Sequence, residues 1–249
     1  MGRGTSKAGG GSSGRTMSLK NFMALSDSQK DDAIENMIAN VKVPKGVKDT
    51  PTMRVMVGLG INNTPKMVDD ATLDNMAGKD LYRTVTDSKT LTSDAIVKEF
   101  TTAKYSSMSD SFGSSEGRGY YFAKQLNGAA QWGTNGGQVV ASNQIMRAKV
   151  NPNAKILDVD KLLTGGKIRQ QYVNDTNFHQ KFSATVPPWD ALSIWAIKKG
   201  YQGAKATDMG TGKSEMVIFD RGILSVSKTT KKLPSNYKQG DRLSWKKLN

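Results

Sequence analysis

Between residues 80 and 227 the chain breaks into short β-prone runs separated by turns and a few helical stretches. The runs include DLYRTV, YYFA, QVVASNQIMRAKV, AKILDV, GAKAT, SEMVIFD and GILSVS. Helical patterns occur in SDAIVKEFTTAKY, in Lys124 to Trp132 and in WDALSIWAIKKG, which Pro187-Pro188 precedes and Gly200 ends. KLLTGGKIRQQYVNDTNFHQKF is expected to be helical in part. Irregular interleaving of this kind predicts an α+β domain instead of alternating βαβ units.

Three helices are predicted before this region. Ser26 to Ser28 can cap a helix in QKDDAIENMIANV, and shorter helices are expected in TPTMRVMVGLG and ATLDNMAG. The sequence therefore predicts four segments: a disordered, basic Gly/Ser-rich tail at 1–26, an N-terminal helical layer at 27–79, a catalytic domain at 80–227 and a basic tail at 228–249.

Composition excludes several chemistries. The chain has 249 residues, no cysteine and a single histidine, His179, so disulfides, thiol catalysis, histidine metal clusters and a Ser-His-Asp triad are not expected. No apolar run has the length of a membrane span, and the N-terminus does not read as a secretory signal. We expect no metal and no membrane partner, and a location in the cytoplasm of a bacterial host, or in a virion from which the protein is injected.

The net charge of +14 is concentrated at the two ends of the chain. Basic ends of this kind either contact nucleic acid or an acidic surface, or are solvated extensions that aid solubility. The sequence does not decide between these two interpretations.

Three short stretches carry candidate chemistry. Arg83 lies inside the otherwise apolar run LYRTV, where a guanidinium is costly to bury unless it meets an anion. The stretch GRGYYFA combines flexible glycines with Tyr120 and Tyr121, one of which is expected to enter the core while the other lines a cleft. Glu215 begins the apolar run SEMVIFD, where a carboxylate can stabilise developing positive charge.

In this order the stretches resemble the catalytic domain of ADP-ribosyltransferases. LYRTV is similar to the Leu-Tyr-Arg-Gly strand of the arginine-first branch, which occurs in bacterial toxins and phage-encoded proteins. GRGYYFA is similar to the Gly-x-Gly-x-Tyr-Phe-Ala strand of polymerase-type members. AKQLNGAAQWG, RAKVNPNAKILD and KSEMVIFDRGIL are similar to the elements that follow, the last containing the catalytic glutamate.

The resemblance implies a split β-sandwich of two small sheets with flanking helices, which holds NAD as substrate in a cleft. It implies that Arg83 and Glu215 are catalytic, with Glu215 stabilising an oxocarbenium-like transition state. It further implies that NAD contacts Arg83, Tyr82, Ser107, Gly119, Tyr120 and Tyr121. Loop residues Met209, Thr211 and Lys213 would then recognise the target, a protein or an RNA.

The chain also departs from the family pattern. Thr84 stands where the family has the glycine after the arginine, and Lys213 stands where enzymes that modify arginine have Glu or Gln. No Ser-Thr-Ser triplet is present in the second strand, although Ser106, Ser107 and Ser109 lie upstream. These departures leave two alternatives to transfer: a virion- or DNA-associated structural protein with a silent fold, and an NAD glycohydrolase. His179 is not expected to be catalytic, and Trp132, Trp189 and Trp195 are expected in the core.

Overall fold

The computed structural model describes residues 17–106, 119–207 and 214–248. Its helices are α1 (Leu19–Met23), α2 (Asp27–Asn40), α3 (Pro51–Gly58), α4 (Asp70–Asn75), α5 (Ser93–Thr102), α6 (Leu126–Gln131), α7 (Val159–Thr164), α8 (Lys167–Val173), α9 (Thr176–Phe182) and α10 (Pro188–Lys198). Its strands are β1 (Lys66–Val68), β2 (Asp80–Val85), β3 (Tyr120–Ala123), β4 (Thr134–Asn135), β5 (Gln138–Val139), β6 (Gln144–Val150), β7 (Ile156–Asp158), β8 (Gly203–Thr207), β9 (Ser214–Ile218) and β10 (Leu224–Ser227). The α+β prediction is thus confirmed.

The predicted helix boundaries follow from local capping. Ser26 closes a capping box with Gln29 at the start of α2, and the side chains of Thr50 and Thr92 accept hydrogen bonds from the first turns of α3 and α5. One predicted strand, residues 138–150, is instead two: β5 and β6 are separated by a turn in which the Asn143 side chain donates to the Val140 carbonyl.

Eight strands form one mixed sheet in the order β1-β10-β6-β2-β3-β9-β8-β7, and β4 and β5 form a separate hairpin. β1 pairs with β10 and β7 with β8 in parallel, whereas the other neighbours are antiparallel. The pairing at the middle of the sheet is minimal, because only Tyr82 and Ala123 pair between β2 and β3. The sheet therefore divides into two four-stranded halves, β1-β10-β6-β2 and β3-β9-β8-β7, joined by one residue pair.

One apolar core runs through segments that the sequence suggested to be separate. It includes Phe22 of α1, Ile34 of α2, Trp195 of α10 and Val226 of β10. Helix α10 is buried nearly all round, and α2 and α3 pack against it. The helical layer shares this core with the sheet, and part of the segment predicted to be disordered, from Met17 onwards, is ordered against it.

Residues 228–248 are likewise part of the fold and not a free extension. Leu233, Tyr237, Trp245 and Leu248 are buried and form a second apolar cluster with α6 and β6. The lysines between them hid this pattern in the sequence, because each apolar residue stands alone among polar neighbours. Within the described residues, no helix is long and apolar enough to cross a membrane.

Candidate active site

Arg83 lies at the line where the two halves of the sheet separate. Beyond the Tyr82–Ala123 pair, β2 and β3 diverge, and Arg83 Nη1 donates a hydrogen bond to the Tyr121 carbonyl oxygen over 2.8 Å. The side chain thus replaces the strand-to-strand bond that β3 lacks here. Arg83 is half-buried and makes further contacts in addition to this one.

Tyr121 and Glu215 lie on neighbouring strands and on one face of the sheet. Ala123 pairs with Glu215 and Tyr121 pairs with Val217, so Tyr121 and Glu215 are diagonal neighbours. Such neighbours are roughly 7–8 Å apart, within reach of an aromatic side chain. By the same alternation Arg83 leaves β2 from the other face and meets the backbone of Tyr121, not its ring. The three residues therefore lie on adjacent strands, with Tyr121 and Glu215 on one face of the sheet and the Arg83 side chain on the other.

Both tyrosines of the β3 strand are buried, whereas the sequence predicted that one would line a cleft. Tyr120 is 1% exposed and packs edge-on against Phe100, beneath the Arg221 guanidinium. Desolvation raises the pKa of its phenol. Tyr121 is 3% exposed and belongs to the same core. Tyr120 is therefore a core residue, as expected for one of the two tyrosines, and its contact with NAD stays a prediction.

Gly119 is required by packing within the protein. A Cβ atom at this position would lie 2.5 Å from Val217 Cγ2 and 2.7 Å from the Ile218 carbonyl oxygen. The glycine thus lets the chain approach β9 closely. The resemblance implies that Gly119 contacts NAD, whereas the nearest atoms that require its small size belong to β9.

Tyr82 lies in a different environment from Arg83. Its hydroxyl donates to Asp80 Oδ2 at 3.1 Å, and its ring lies 6.1 Å from that of Trp245. Burial and the neighbouring Asp80 carboxylate raise its pKa to about 12. The cavity that Tyr82 lines does not include Arg83, so the structure does not place these two predicted NAD contacts together.

A cavity of about 1110 Å³ opens beside Arg83. It lies between β2, α5 and the loop before α3, and its lining includes Lys45, Lys104, Tyr105 and Glu99. Among the described residues that line it, neither Tyr121 nor Glu215 occurs. The sequence analysis missed these lining residues, since Lys45 and Lys104 carry no motif. The only signal at Tyr105 was an aromatic directly before the serine-rich loop.

Helix α6 joins this region through Thr84. The Thr84 hydroxyl donates to the Ala129 carbonyl at 2.7 Å, so the residue that stands where the resembled family has glycine makes a structural hydrogen bond.

Trp132 caps the same helix and is 39% exposed. Of the three tryptophans predicted to be in the core, Trp195 is buried, but Trp132 and Trp189 are not.

The remaining predicted residues are remote or not described. His179 is on α9, where its Nε2 donates to the Tyr172 carbonyl at 2.7 Å and its ring packs between Tyr172 and Phe178. Ser107 and the three loop residues Met209, Thr211 and Lys213 lie outside the described residues. In the parts of the chain that the structure describes, no group of three or more His, Asp or Glu side chains is arranged to hold a metal ion.

Comparisons with known proteins returned no match: no family model, no curated protein and no solved structure is similar to this chain at the level searched.

Proposed function

We propose that the protein is an NAD-dependent mono-ADP-ribosyltransferase that moves ADP-ribose from NAD to a macromolecule and releases nicotinamide. The observation that carries the proposal is the placement of Arg83, Tyr121 and Glu215 on the adjacent strands β2, β3 and β9, where Arg83 reaches the backbone of Tyr121 from the face opposite to Glu215. The division of the sheet into two four-stranded halves supports it, since the resemblance implies two small sheets with the substrate between them.

The cavity beside Arg83 supports binding of the ADP half of NAD. Its volume of about 1110 Å³ exceeds that of most drug-sized ligand sites. Lys45 and Lys104 supply charge for a pyrophosphate, and the half-buried ring of Tyr105 is suited to an adenine. In this arrangement Arg83 stands between the cavity and β3, where the nicotinamide half would begin.

The proposed reaction breaks the bond between nicotinamide and C1′ of the ribose, and nicotinamide leaves with the bonding electrons. The ribose cation is stabilised by the Glu215 carboxylate, and a nucleophilic atom of the acceptor then forms the new bond to C1′ and loses its proton. Removing a preorganised electrostatic stabiliser of this kind costs about 10²–10³ in rate. Because Tyr121 is 3% exposed, a nicotinamide ring can contact it only if the groups covering it move.

Incubation with adenine-labelled NAD and a bacterial lysate tests the proposal, with proteins and RNA separated afterwards. The test variant is Glu215→Gln. The matched control is Glu35→Gln, which makes the same change at an exposed position on α2. We expect a labelled band with the wild type and with Glu35→Gln, and loss of at least a hundredfold with Glu215→Gln. A band of unchanged intensity with Glu215→Gln would refute the role of Glu215.

Two other functions remain distinguishable in the same assay. Nicotinamide release without a labelled band indicates NAD hydrolysis, with water as the acceptor. The second alternative, a structural protein with a catalytically silent fold, is favoured by Gly119 and Thr84, because both residues have a packing or hydrogen-bonding role within the protein. This alternative predicts neither release of nicotinamide nor a labelled band.

A further inference from the structure

A second cavity, of about 560 Å³, lies between the C-terminal segment and the opposite face of β2 from Arg83. Four cationic side chains and two carboxylates line it: Lys79, Lys124, Arg147, Lys246, Asp74 and Asp80. The site proposed for NAD uses none of them. We refer to this cavity as the lysine groove.

The two carboxylates of the lysine groove are paired from inside the protein. Arg147 Nη2 lies 2.6 Å from Asp74 Oδ1 and 2.8 Å from Asp80 Oδ2, and the Arg147 side chain is buried. The Arg147 guanidinium also lies 5.9 Å from the centre of the Trp245 ring. This network forms a fixed base for the groove, whose lining carries four cations against two carboxylates.

Three lysines of the groove, Lys79, Lys124 and Lys246, take no part in these ion pairs. None of the three forms an ion pair with a carboxylate of the described residues, although Asp74 and Asp80 line the same cavity. Lys124 is half-buried, and burial together with the charge of Lys205 lowers its pKa. Cations that converge on a concave surface and repel one another are favoured only when an anion joins them.

The groove continues along the C-terminal segment. A neighbouring cavity of about 390 Å³ shares Leu243 and Ser244 with it and adds two cations, Arg242 and Lys247, and one carboxylate, Asp241. Cations thus follow one another along a single path, as the phosphates of an extended strand would require. The half-buried Tyr82 ring lies in the first cavity and offers a surface on which a base can stack.

We propose that the lysine groove binds the phosphate backbone of single-stranded nucleic acid. An extended polyanion fits the succession of lysines, and the stacking surface of Tyr82 favours a nucleic acid over an acidic peptide. The groove also leads toward Glu215, because the Lys124 amide donates to the carbonyl of Ser214 at 3.0 Å. That the bound strand is also the acceptor of ADP-ribose rests on the proposed transferase function.

Binding is tested without NAD, by fluorescence anisotropy of a labelled twelve-nucleotide oligo(U) at several salt concentrations with the full chain. The test variant changes Lys79, Lys124 and Lys246 to Gln. The control variant changes Lys42, Lys89 and Lys167 to Gln, which removes the same charge from exposed positions that line neither part of the groove. The single variant Lys246→Gln, at an exposed position, serves if the triple variant does not fold.

We expect the groove variant to bind at least tenfold more weakly. The slope of the logarithm of the binding constant against the logarithm of the salt concentration should correspond to about two fewer phosphate contacts, each contributing about 0.7 for a single strand. The control variant should bind like the wild type, and because the binding assay contains no NAD, a failed transferase assay would leave this result intact. Equal weakening in both lysine variants would overturn the proposal, since it would show diffuse attraction. Absence of binding at low salt, or tighter binding of poly-glutamate than of oligo(U), would also overturn it.

Discussion

The side chain of Arg83 links β2 to β3 beyond the point where the two strands stop pairing, by a hydrogen bond of 2.8 Å from Nη1 to the backbone oxygen of Tyr121. This bond fixes the guanidinium against β3 while the same residue lines the large cavity. Arg83 therefore has a structural function that can be measured separately from any activity.

Arg83→Gln is expected to lower the free energy of unfolding by about 1–2 kcal/mol, because it removes a charge-assisted hydrogen bond at a half-buried position. Urea denaturation measures the change. Arg169→Gln is the control, since Arg169 also donates to a carbonyl, that of Leu163 at 3.1 Å, but at an exposed site. Equal stability of the two variants would show that the hydrogen bond of Arg83 adds no more to the free energy of unfolding than the exposed one of Arg169.

Gly119→Ala is expected to destabilise the protein by about 1–3 kcal/mol, because the new methyl group would overlap Val217 and the Ile218 carbonyl. The comparison is Gly137→Ala, where no atom lies within 4 Å and only the positive φ of 83° is unfavourable. Thermal unfolding of both variants separates steric overlap from backbone strain. A wild-type midpoint for Gly119→Ala would contradict the close packing of this residue on β9.

Two aspartates contact the buried Lys198, and their contributions to the stability of the protein should depend on pH in opposite directions. Lys198 Nζ lies 2.7 Å from Asp31 and 3.0 Å from Asp175. Burial raises the pKa of Asp31 despite Lys198. Burial acts the same way on Asp175, but hydrogen bonds from Lys198 and Lys199 outweigh it and hold its pKa below the usual value.

The sign of each contribution follows from these directions. The contribution of Asp31 to stability is greatest below its ordinary pKa and is lost as the pH rises through its raised folded value. That of Asp175 is present above its ordinary pKa and is lost as the pH falls through its lowered folded value.

At pH 7, Asp31→Asn should therefore leave the free energy of unfolding unchanged or increase it, whereas Asp175→Asn should decrease it. Urea denaturation at pH 7 and pH 3 measures both differences, which should shrink at the lower pH. A loss of stability in Asp31→Asn as large as that in Asp175→Asn would contradict the assignment.

Trp245→Ala is expected to cost about 3–5 kcal/mol, the usual range for removing a buried aromatic ring. The Trp245 side chain is 7% exposed, packs near Tyr82 and donates from Nε1 to Asp70 at 3.0 Å. Trp189→Ala, at a residue 40% exposed, is the control and should cost much less. Calorimetry compares the two, and a small loss for Trp245→Ala would show that the C-terminal segment is only loosely held.

Local patterns in the sequence were sufficient for most helices and strands. The Pro-Pro start and glycine end of α10, and the short runs of β2, β3 and β9, were identified from residues within each element. The assignment of Arg83, Tyr121 and Glu215 to a site depends on a resemblance and not on spacing, and it stays a prediction.

What the sequence could not provide is long-range pairing. The burial of Tyr121 and the need for glycine at position 119 depend on β9, which lies about a hundred residues later in the chain. The C-terminal segment was misread because its charge is visible in the sequence, whereas the surface that receives Trp245 is assembled from β2, β6 and α4.

The pairing of β1 with β10 joins Lys66 to Ser225, residues about 160 positions apart in the chain. An edge formed in this way cannot assemble on the ribosome until β10 has emerged. Contacts of such sequence separation slow folding, since the loop between them must be closed first. The helices before β1 must meanwhile keep their apolar faces from other chains, so synthesis speed and chaperone access are expected to influence the yield of folded protein.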